Sequence, residues 1–249
     1  MFMRFVRLSV KPESLDEYVK FFEEVDSKAL HKIDGCLFAG LIRADSNSSD
    51  CIALTLWKSA GHAQAYEESG QYARLLDDNR PFLIDSSEWR VQLSEDLTLQ
   101  YAPVESEPQV DTFEVTASTD DDAPTEDELS HMFLRTTTLN VQAGKESAFV
   151  KLYTEKIIPA LKQVDGFRHA FLVESTQDPS DMLSVTVWEN RQKAEAYEAS
   201  GRFGYLVDEV KPLLSSLFQW KFSLDSSKKD SVVTSDDLRV EGFEMLTGD

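Results

Sequence analysis

The stretch LTLWKSAGHAQAYEESGQYARLL at residues 54–76 decides the fold, because the chain contains a second version of it. VTVWENRQKAEAYEASGRFGYLV occupies residues 185–207, and Trp57 and Trp188 stand at equivalent places, 131 residues apart. A match of this length without a gap indicates an internal repeat. We therefore predict two copies of one small domain, called copy one and copy two. The same offset aligns pairs outside the stretch: Arg4 with Arg135, Asp34 with Asp165, Pro81 with Pro212, and Trp89 with Trp220.

Hydrophobic periodicity predicts the same order of elements in each copy. Alternating apolar residues indicate strands, and apolar residues three and four apart indicate helices. The order is β-α-β-β-α-β, the ferredoxin-like arrangement of an antiparallel sheet with helices on one face. In copy one, strands are predicted at 3–10, 36–43, 51–58 and 88–94, and the first helix at 14–32. In copy two, the first and last strands are predicted at 134–141 and 219–224, and the first helix at 145–164, with Pro159 expected to kink or end it.

The third strand of each copy is apolar on both faces. In copy one, large aliphatic residues alternate with Ala53, Thr55 and Trp57, and the equivalent strand of copy two has the same pattern. A strand that is apolar on both faces is buried on both faces, and the helices can cover only one of them. The sheet of the other copy is the simplest cover for the second face. The predicted fold class is therefore α+β, with two tandem ferredoxin-like domains forming an intramolecular, pseudo-two-fold α/β barrel.

The two copies are expected at residues 1–95 and 132–225, separated by an acidic linker at 96–131 and followed by a polar tail at 226–249. The linker is rich in acidic residues, Ser, Thr and Pro, which predicts a mostly irregular and mobile segment. Two alternatives stay open. The linker stretch VDTFEVTA could add an edge strand, and Phe243 and Met245 of the tail could dock on a domain surface.

The composition excludes several classes of partner. The net charge is -20, from 25 basic and 45 acidic residues, and such a surface repels nucleic acid and anionic membranes. No signal peptide and no apolar run long enough to span a membrane is found. Cys36 and Cys51 lie at opposite ends of one predicted hairpin, too far apart for a disulfide bond. These features predict a cytoplasmic protein with free thiols.

The repeated stretch has a recognisable pattern: a strand that ends in Trp, two polar residues, and a helix with an aromatic residue before Ser-X-X-aromatic. This pattern resembles the antibiotic biosynthesis monooxygenase family, whose ferredoxin-like domains form dimeric α/β barrels. The resemblance covers about 2–95 and 132–225. It implies a monooxygenase that needs no cofactor and acts on a small aromatic, phenolic or quinol-like compound. Some family members degrade haem instead.

The haem-degrading branch does not fit this chain. Its motif has an Asn on the first strand, a Trp on the helix after the third strand, and an iron-ligating His further along. Since Leu and Val cannot ligate iron, haem degradation is not expected. The residues at the matching positions are Arg7 and Thr138, Tyr66 and Tyr197, and Leu76 and Val207.

Four residues of each copy are candidates for a site between the helices and the sheet. Arg4 and Arg135 each share a strand face with apolar residues, so each must meet an anion there or extend its charged end to solvent. Each could stabilise a substrate phenolate, or it could pair with a carboxylate such as Asp77 or Asp208. In each copy, Arg and Tyr are the candidate catalytic residues, and Thr and Trp are the candidate substrate-binding residues. Each of these residues could instead have only a structural role in the packed core. The candidates are Arg4, Thr55, Trp57 and Tyr66 in copy one, and Arg135, Thr186, Trp188 and Tyr197 in copy two.

One further candidate is not repeated. His169, on the second strand of copy two, could act as a base or contact substrate, whereas copy one has Phe38 there. No spacing of His, Cys, Asp or Glu predicts a metal site, and no glycine-rich loop predicts a nucleotide. Two functions remain: a cofactor-independent monooxygenase of a small aromatic molecule, or a non-catalytic module that binds a small molecule or has a structural role. Whether whole chains assemble further is left open.

Overall fold

The computed structural model describes residues 1–84, 89–93, 99–103, 108–120, 124, 126–129, 132–215 and 240–247. Copy one begins with the predicted sequence of elements. A short π-helical segment, Phe22–Ser27, joins its first two helices into one continuous rod. The elements are β1 (Phe2–Ser9), α1 (Leu15–Phe21), α2 (Lys28–Leu30), β2 (Cys36–Ala44), β3 (Asp50–Trp57), α3 (Ala60–Glu68) and α4 (Gln71–Asn79).

Copy two repeats this order after an intervening segment. The intervening elements are β4 (Trp89–Leu93), β5 (Leu99–Pro103), β6 (Gln109–Ser118) and α5 (Glu126–Leu129). Copy two then consists of β7 (Phe133–Asn140), α6 (Glu146–Leu152), α7 (Ile158–Leu161), β8 (Phe167–Ser175), β9 (Asp181–Trp188), α8 (Arg191–Ala199) and α9 (Arg202–Val210), and β10 (Val240–Met245) follows. A π-helical segment, Tyr153–Ile157, joins α6 to α7. Pro159 therefore falls in the first turn of α7, where its missing N–H costs no hydrogen bond, and the rod continues through it.

Eight strands close into one antiparallel barrel, in the order β1-β3-β2-β10-β7-β9-β8-β6. The barrel consists of two ferredoxin-like sheets, β6-β1-β3-β2 and β10-β7-β9-β8. They are joined where β10 pairs with β2 and where β6 pairs with β8. The predicted fold class, a pseudo-two-fold barrel formed within one chain, is confirmed.

The fourth strand of each sheet differs from the sequence prediction. The strand predicted at 88–94 pairs with β5 in a separate two-stranded sheet, as β4, and the one predicted at 219–224 lies outside the described residues. The fourth places in the barrel belong to β6, inside the predicted linker, and to β10, inside the predicted tail. The expectation of an irregular linker is therefore wrong for Gln109–Ser118. The alternative with an added strand is the observed one, although β6 is paired on both sides.

The two sheets cover each other inside the barrel, as the doubly apolar third strands predicted. One apolar cluster fills this interior and takes residues from both copies. Burial of each such side chain stabilises the fold by about 1.5–3 kcal/mol, and because the cluster is shared, each copy contributes to the burial of the other. The cluster includes Phe5, Ile52, Leu54 and Leu56 of copy one, Leu134, Leu183, Val185 and Val187 of copy two, and Phe243 and Met245 of β10.

The outer face of each sheet packs against its own helices. In copy two this layer is one cluster, with Phe149, Tyr153 and Leu161 of the α6–α7 rod facing Trp188. In copy one the corresponding layer contains Tyr18, Phe22 and Leu30. Cys36 and Cys51 are free thiols, as predicted. None of the helices that the structure describes combines the length and apolarity needed to cross a bilayer.

Candidate functional site

Each copy buries one arginine between its sheet and its helices. Arg4 on β1 and Arg135 on β7 keep only 2% and 4% of their surface exposed. Nη2 of Arg4 lies 2.7 Å from Oε1 of Glu67, and Nε of Arg135 donates to Oε1 of Glu198 at 2.5 Å. The ion-pair alternative of the sequence analysis is therefore realised in both copies. Both glutamates are partly exposed, at 45% and 34%, so each pair has its anion at the surface and its cation inside.

The partners in these ion pairs are not the aspartates named from the sequence. Asp77 instead pairs with Arg80, whose Nε lies 2.9 Å from Oδ1 of Asp77. Glu67 directly follows Tyr66 on α3, and Glu198 directly follows Tyr197 on α8. The tyrosine of each pair faces the cavity, and the partly exposed glutamate reaches the buried arginine.

Aromatic rings hold each guanidinium from the side. The Arg4 guanidinium carbon lies 4.2 Å from the centre of the Tyr72 ring and 5.8 Å from that of Tyr66. Arg135 has the same geometry, 4.1 Å from Phe203 and 5.8 Å from Tyr197. Contacts of a cation with aromatic faces contribute about 0.5–2 kcal/mol. Burial lowers the pKa of Arg135, an effect that Glu198 opposes. Each arginine is thus a fixed positive charge at the inner end of its site.

The Trp, Thr and Tyr candidates form a second repeated unit. Nε1 of Trp57 donates to Oγ1 of Thr55 at 2.9 Å, and the Trp57 and Tyr66 rings stack with their centres 5.2 Å apart. Trp188, Thr186 and Tyr197 repeat this geometry, with 2.9 Å and 5.0 Å. Both indoles are fully buried, behind the tyrosines. Thr and Tyr therefore line the cavity, whereas Trp supports the Tyr ring from behind. Burial raises the pKa of Tyr197 to about 12, and that of Tyr66 rises for the same reason, so both phenols stay protonated.

Each copy contains a small cavity beside this unit, between the helices and the sheet. Each cavity has a volume of about 50 Å³. An apolar cavity of about 150 Å³ binds benzene, and a single water needs a cavity of only about 10–15 Å³. Each cavity therefore admits a molecule the size of water or dioxygen, but not an aromatic ring.

His169 is not brought to either cavity. Its Nδ1 lies 3.5 Å from Oδ2 of Asp120, and its ring stacks at 6.5 Å on that of Phe171. Asp120 follows the end of β6, so the neighbour of His169 comes from the segment that the sequence analysis assigned to the linker. The proposed role of His169 as a base or substrate contact thus has no support from its position.

Copy one contains two buried polar residues that the sequence analysis missed. Asp26, in the π-helical segment, is 3% exposed, and Asn79, at the end of α4, is 6% exposed. Nδ2 of Asn79 donates to Oδ2 of Asp26 at 2.8 Å and to the Leu75 carbonyl at 2.6 Å. Burial raises the pKa of Asp26 from 3.8 to about 6; the hydrogen bond from Asn79 lowers it and nearby Asp78 raises it. A signal did exist: Asp26 lies four residues after Phe22 and four before Leu30, on the buried face of the helix.

The copy-one cavity is lined by polar atoms that have no hydrogen-bond partner. They are Nε of Arg4, Oδ1 of Asp26 and Oδ1 of Asn79, and all three residues line the same cavity. Nη2 of Arg4 lacks hydrogen-bond geometry as well, but its ion pair with Glu67 compensates it. Leaving such an atom buried and unpaired costs about 1–3 kcal/mol. The copy-two cavity lacks the last two, because Ile157 and Val210 stand at the positions of Asp26 and Asn79. The two sites therefore share their arginine but differ in chemistry.

Two larger clefts lie elsewhere on the described surface, away from the buried arginines. A cleft of about 380 Å³ lies at one end of the barrel beside Arg7, whose Nε donates to Asp111 at 2.9 Å. Another, of about 320 Å³, lies beside His62. Among the described residues, no group of three His, Cys, Asp or Glu side chains is placed to hold a metal ion.

Comparison with known proteins places both copies in one family. The family model for antibiotic biosynthesis monooxygenase matches residues 1–77 and 132–208. A search of curated proteins gave no match.

Several solved structures share the fold over nearly the whole chain. A protein of Lactobacillus acidophilus, provisionally named a monooxygenase, superposes with a TM-score of 0.64 at 9% identity, covering 99% of this chain and 94% of its own. One of Fusobacterium nucleatum with the same provisional name gives 0.63 at 8%, covering 99% and 92%. An anthrone oxidase-like protein gives 0.57 at 12%, covering 98% and 90%. At these identities the likeness shows the fold alone. Together with the two matched segments, it leads to one conclusion: this chain belongs to the antibiotic biosynthesis monooxygenase family and contains its domain twice.

Proposed function

We propose that the protein is a cofactor-independent monooxygenase that acts on a small phenolic or quinol-like aromatic compound in the cavity of copy one. The observation that carries this proposal is the buried Arg4, whose Nε is unpartnered in a cavity that Tyr66 and Thr55 also line. A fixed cation in a dry site stabilises a substrate oxyanion far better than water-exposed groups do. Membership of the family supports the reaction class.

The reaction needs no electrons beyond those of the substrate. A phenol that loses its hydroxyl proton can pass one electron to dioxygen. The resulting phenoxyl radical and superoxide then combine to form a C–O bond at the para carbon. The peroxide takes up a proton and loses water, which leaves a carbonyl. Overall, phenol and O2 give quinone and water: one oxygen atom enters the ring, and the other leaves with the hydrogens of the O–H and the para C–H.

Substrate entry requires the copy-one cavity to open, and α4 is the wall most easily displaced. Asn79 is the only buried side chain on α4, whereas α9 of copy two buries Leu206, Val207 and Val210. The half-exposed Glu67 can give way to a substrate oxyanion at Arg4. Copy one is therefore the copy better suited to admit a ring.

Oxygen uptake tests this function directly. The protein is mixed with a panel of phenols and polyphenols that carry a hydrogen at a para carbon, and dioxygen consumption and quinone formation are followed. We expect turnover in the wild type and a loss of roughly 100-fold or more in Arg4→Met, which keeps the packing of the stem but removes the charge. Arg135→Met is the matched variant in copy two. Unchanged uptake in both variants would remove arginine from the mechanism, and no uptake with any compound would contradict an oxygenase.

The cavity volumes favour a second candidate, a module that binds a small molecule without transforming it. At about 50 Å³, neither closed cavity holds a ring. Tryptophan fluorescence separates the two functions, because Trp57 stacks on the cavity residue Tyr66. Saturable quenching by a phenol without oxygen uptake supports binding alone.

A further inference from the structure

We infer that Asp26 accepts the hydroxyl proton of the substrate in the copy-one cavity, that Asn79 positions it, and that copy two is a scaffold without this activity. This inference rests on the proposed function, which it extends by naming the proton acceptor and the active copy. Its basis is a set of unpartnered, buried polar atoms that converge on one cavity and have no counterpart in the other.

The hydrogen bonds of Asp26 leave one oxygen for a ligand. Oδ2 accepts from Nδ2 of Asn79 at 2.8 Å, and Nδ2 also donates to the Leu75 carbonyl, so the amide is held on both its hydrogens. This fixes the carboxylate and leaves its Oδ1 unpartnered. A carboxylate with one oxygen anchored and one free is oriented as a general base requires.

The charges around Asp26 suit a base near neutral pH. Tyr18 of α1 and Tyr66 of α3 interact with it electrostatically, and Asp78 of α4 raises its pKa. Arg4 of β1 lines the same cavity as the only cationic side chain among the lining residues. With a pKa of about 6, Asp26 is ionised at neutral pH and still basic enough to accept a proton.

The proton step is simple and balanced. The substrate O–H bond breaks, its proton moves to Oδ1 of Asp26, and the electron pair stays on the substrate oxygen as a phenolate. Nε of Arg4, the unpartnered donor of the same cavity, can then hydrogen-bond to that oxygen. The negative charge thus moves from Asp26 to the ligand, and the net charge of the cavity does not change.

Copy two keeps the Arg, Thr and Tyr of this site but lacks its Asp and Asn. Ile157 and Val210 replace Asp26 and Asn79, and the hydroxyl of Tyr153 is tied to Oγ of Ser184 at 2.7 Å. Its cavity therefore has a cation and a phenol but no carboxylate placed to remove a proton. Its α9 is also more deeply anchored than α4. Copy two thus completes the barrel, and the chemistry belongs to copy one.

The test uses 4-nitrophenol, whose phenolate absorbs visible light and whose neutral form does not. At about pH 6.5, where much of the free probe is neutral, the wild-type protein should raise the phenolate absorbance in a saturable way, without any need for oxygen. Asp26→Asn is nearly isosteric and should still quench tryptophan fluorescence with the probe, but each phenolate that forms should then release about one proton to the solution, which a pH indicator at low buffer concentration measures. In the wild type Asp26 takes up this proton, so phenolate should form with almost no proton release. Asn79→Val, which installs the copy-two residue, should raise the pKa of Asp26 because the carboxylate loses a stabilising hydrogen bond. The stronger base should then leave a larger fraction of the bound probe ionised at about pH 6.5.

Tyr153→Phe is the matched control, since copy one has Phe at that position, and it should ionise the probe as the wild type does. Equal proton release in the wild type and in Asp26→Asn, or no absorbance change in the wild type, would overturn the inference. Because the readout is independent of turnover, ionisation without proton release and without oxygen uptake supports Asp26 as proton acceptor and contradicts only the oxygenase function.

Discussion

At the scale of single residues, Asp26 carries the sharpest chemical difference between the copies. A buried carboxylate is costly unless a cation or several hydrogen bonds compensate it. Asp26 accepts one hydrogen bond from Asn79 and forms no ion pair with any residue that the structure describes. A residue that weakens the fold in this way is typical of a functional site, where stability is given up for reactivity.

This cost predicts a pH-dependent effect of Asp26→Asn on stability. The pKa of Asp26 is raised from 3.8 to about 6, so the folded state binds its proton more tightly than the unfolded state does. Its contribution to stability is therefore fully present below about pH 4 and is lost as the pH rises through about 6. Asn does not titrate. From about pH 4 to about pH 7.5, the unfolding free energy of the variant should rise relative to the wild type by about 2 to 3 kcal/mol. Urea denaturation at both pH values measures this, and a difference independent of pH would show that Asp26 is not buried as an ion.

The two buried tryptophans give a prediction about packing. Trp57 and Trp188 are fully buried, and each makes one hydrogen bond to a Thr and one ring stack. Replacing either with Ala should lower the unfolding free energy by about 3–5 kcal/mol, as for other buried large aromatics. Urea denaturation of Trp57→Ala and Trp188→Ala should give similar losses. A loss below about 1 kcal/mol in either would mean that its surroundings collapse to fill the space.

Sequence comparison identified the cavity-lining residues that the two copies share and missed the lining residues that differ between them. Arg4, Thr55 and Tyr66 were found because each recurs in copy two, and the structure brings them to one cavity. Asp26 and Asn79 have apolar counterparts, so a comparison of the copies passed over them. The ion-pair partner Glu67 does recur, but only the three-dimensional placement of α3 over β1 shows that it reaches Arg4.

At the scale of elements, the first five elements of each copy followed from periodicity, whereas the fourth strands did not. A separate two-stranded sheet, β4–β5, stands where the fourth strand of copy one was expected. The alternation of apolar residues in β4 correctly indicates a strand, but this strand does not belong to the barrel. The real strands do carry a weak repeat. Phe113-Glu114-Val115 and Phe243-Glu244-Met245 are 130 residues apart, one residue less than the offset elsewhere. Their registers agree as well, since Phe2 pairs with Glu114 and Phe133 pairs with Glu244.

The two fourth strands should differ in how much they stabilise the barrel. Phe243 is 2% exposed and belongs to the interior cluster, whereas Phe113 is only partly buried at its edge, against Phe5. Phe243→Ala should therefore cost about 3–4 kcal/mol of unfolding free energy, and Phe113→Ala clearly less. Chemical denaturation of both variants tests this. Equal losses would mean that β6 and β10 close the barrel equally tightly, against the observed burial.

At the scale of the whole molecule, closure of the barrel within one chain predicts a monomer. β10 joins β2 to β7 and β6 joins β8 to β1, so none of the eight strands has a free edge for pairing with a second chain. The interior cluster draws on both copies, and each sheet already has its cover. Light scattering should therefore give the chain mass of 28.2 kDa over a wide range of protein concentration. The net charge of -20 could hold chains apart at low ionic strength, so the measurement is repeated at about 1 M salt, where charge repulsion is screened within about 3 Å. A mass that stays near twice this value on dilution would mean that the sheets pair between chains and that the two copies of one chain belong to different barrels.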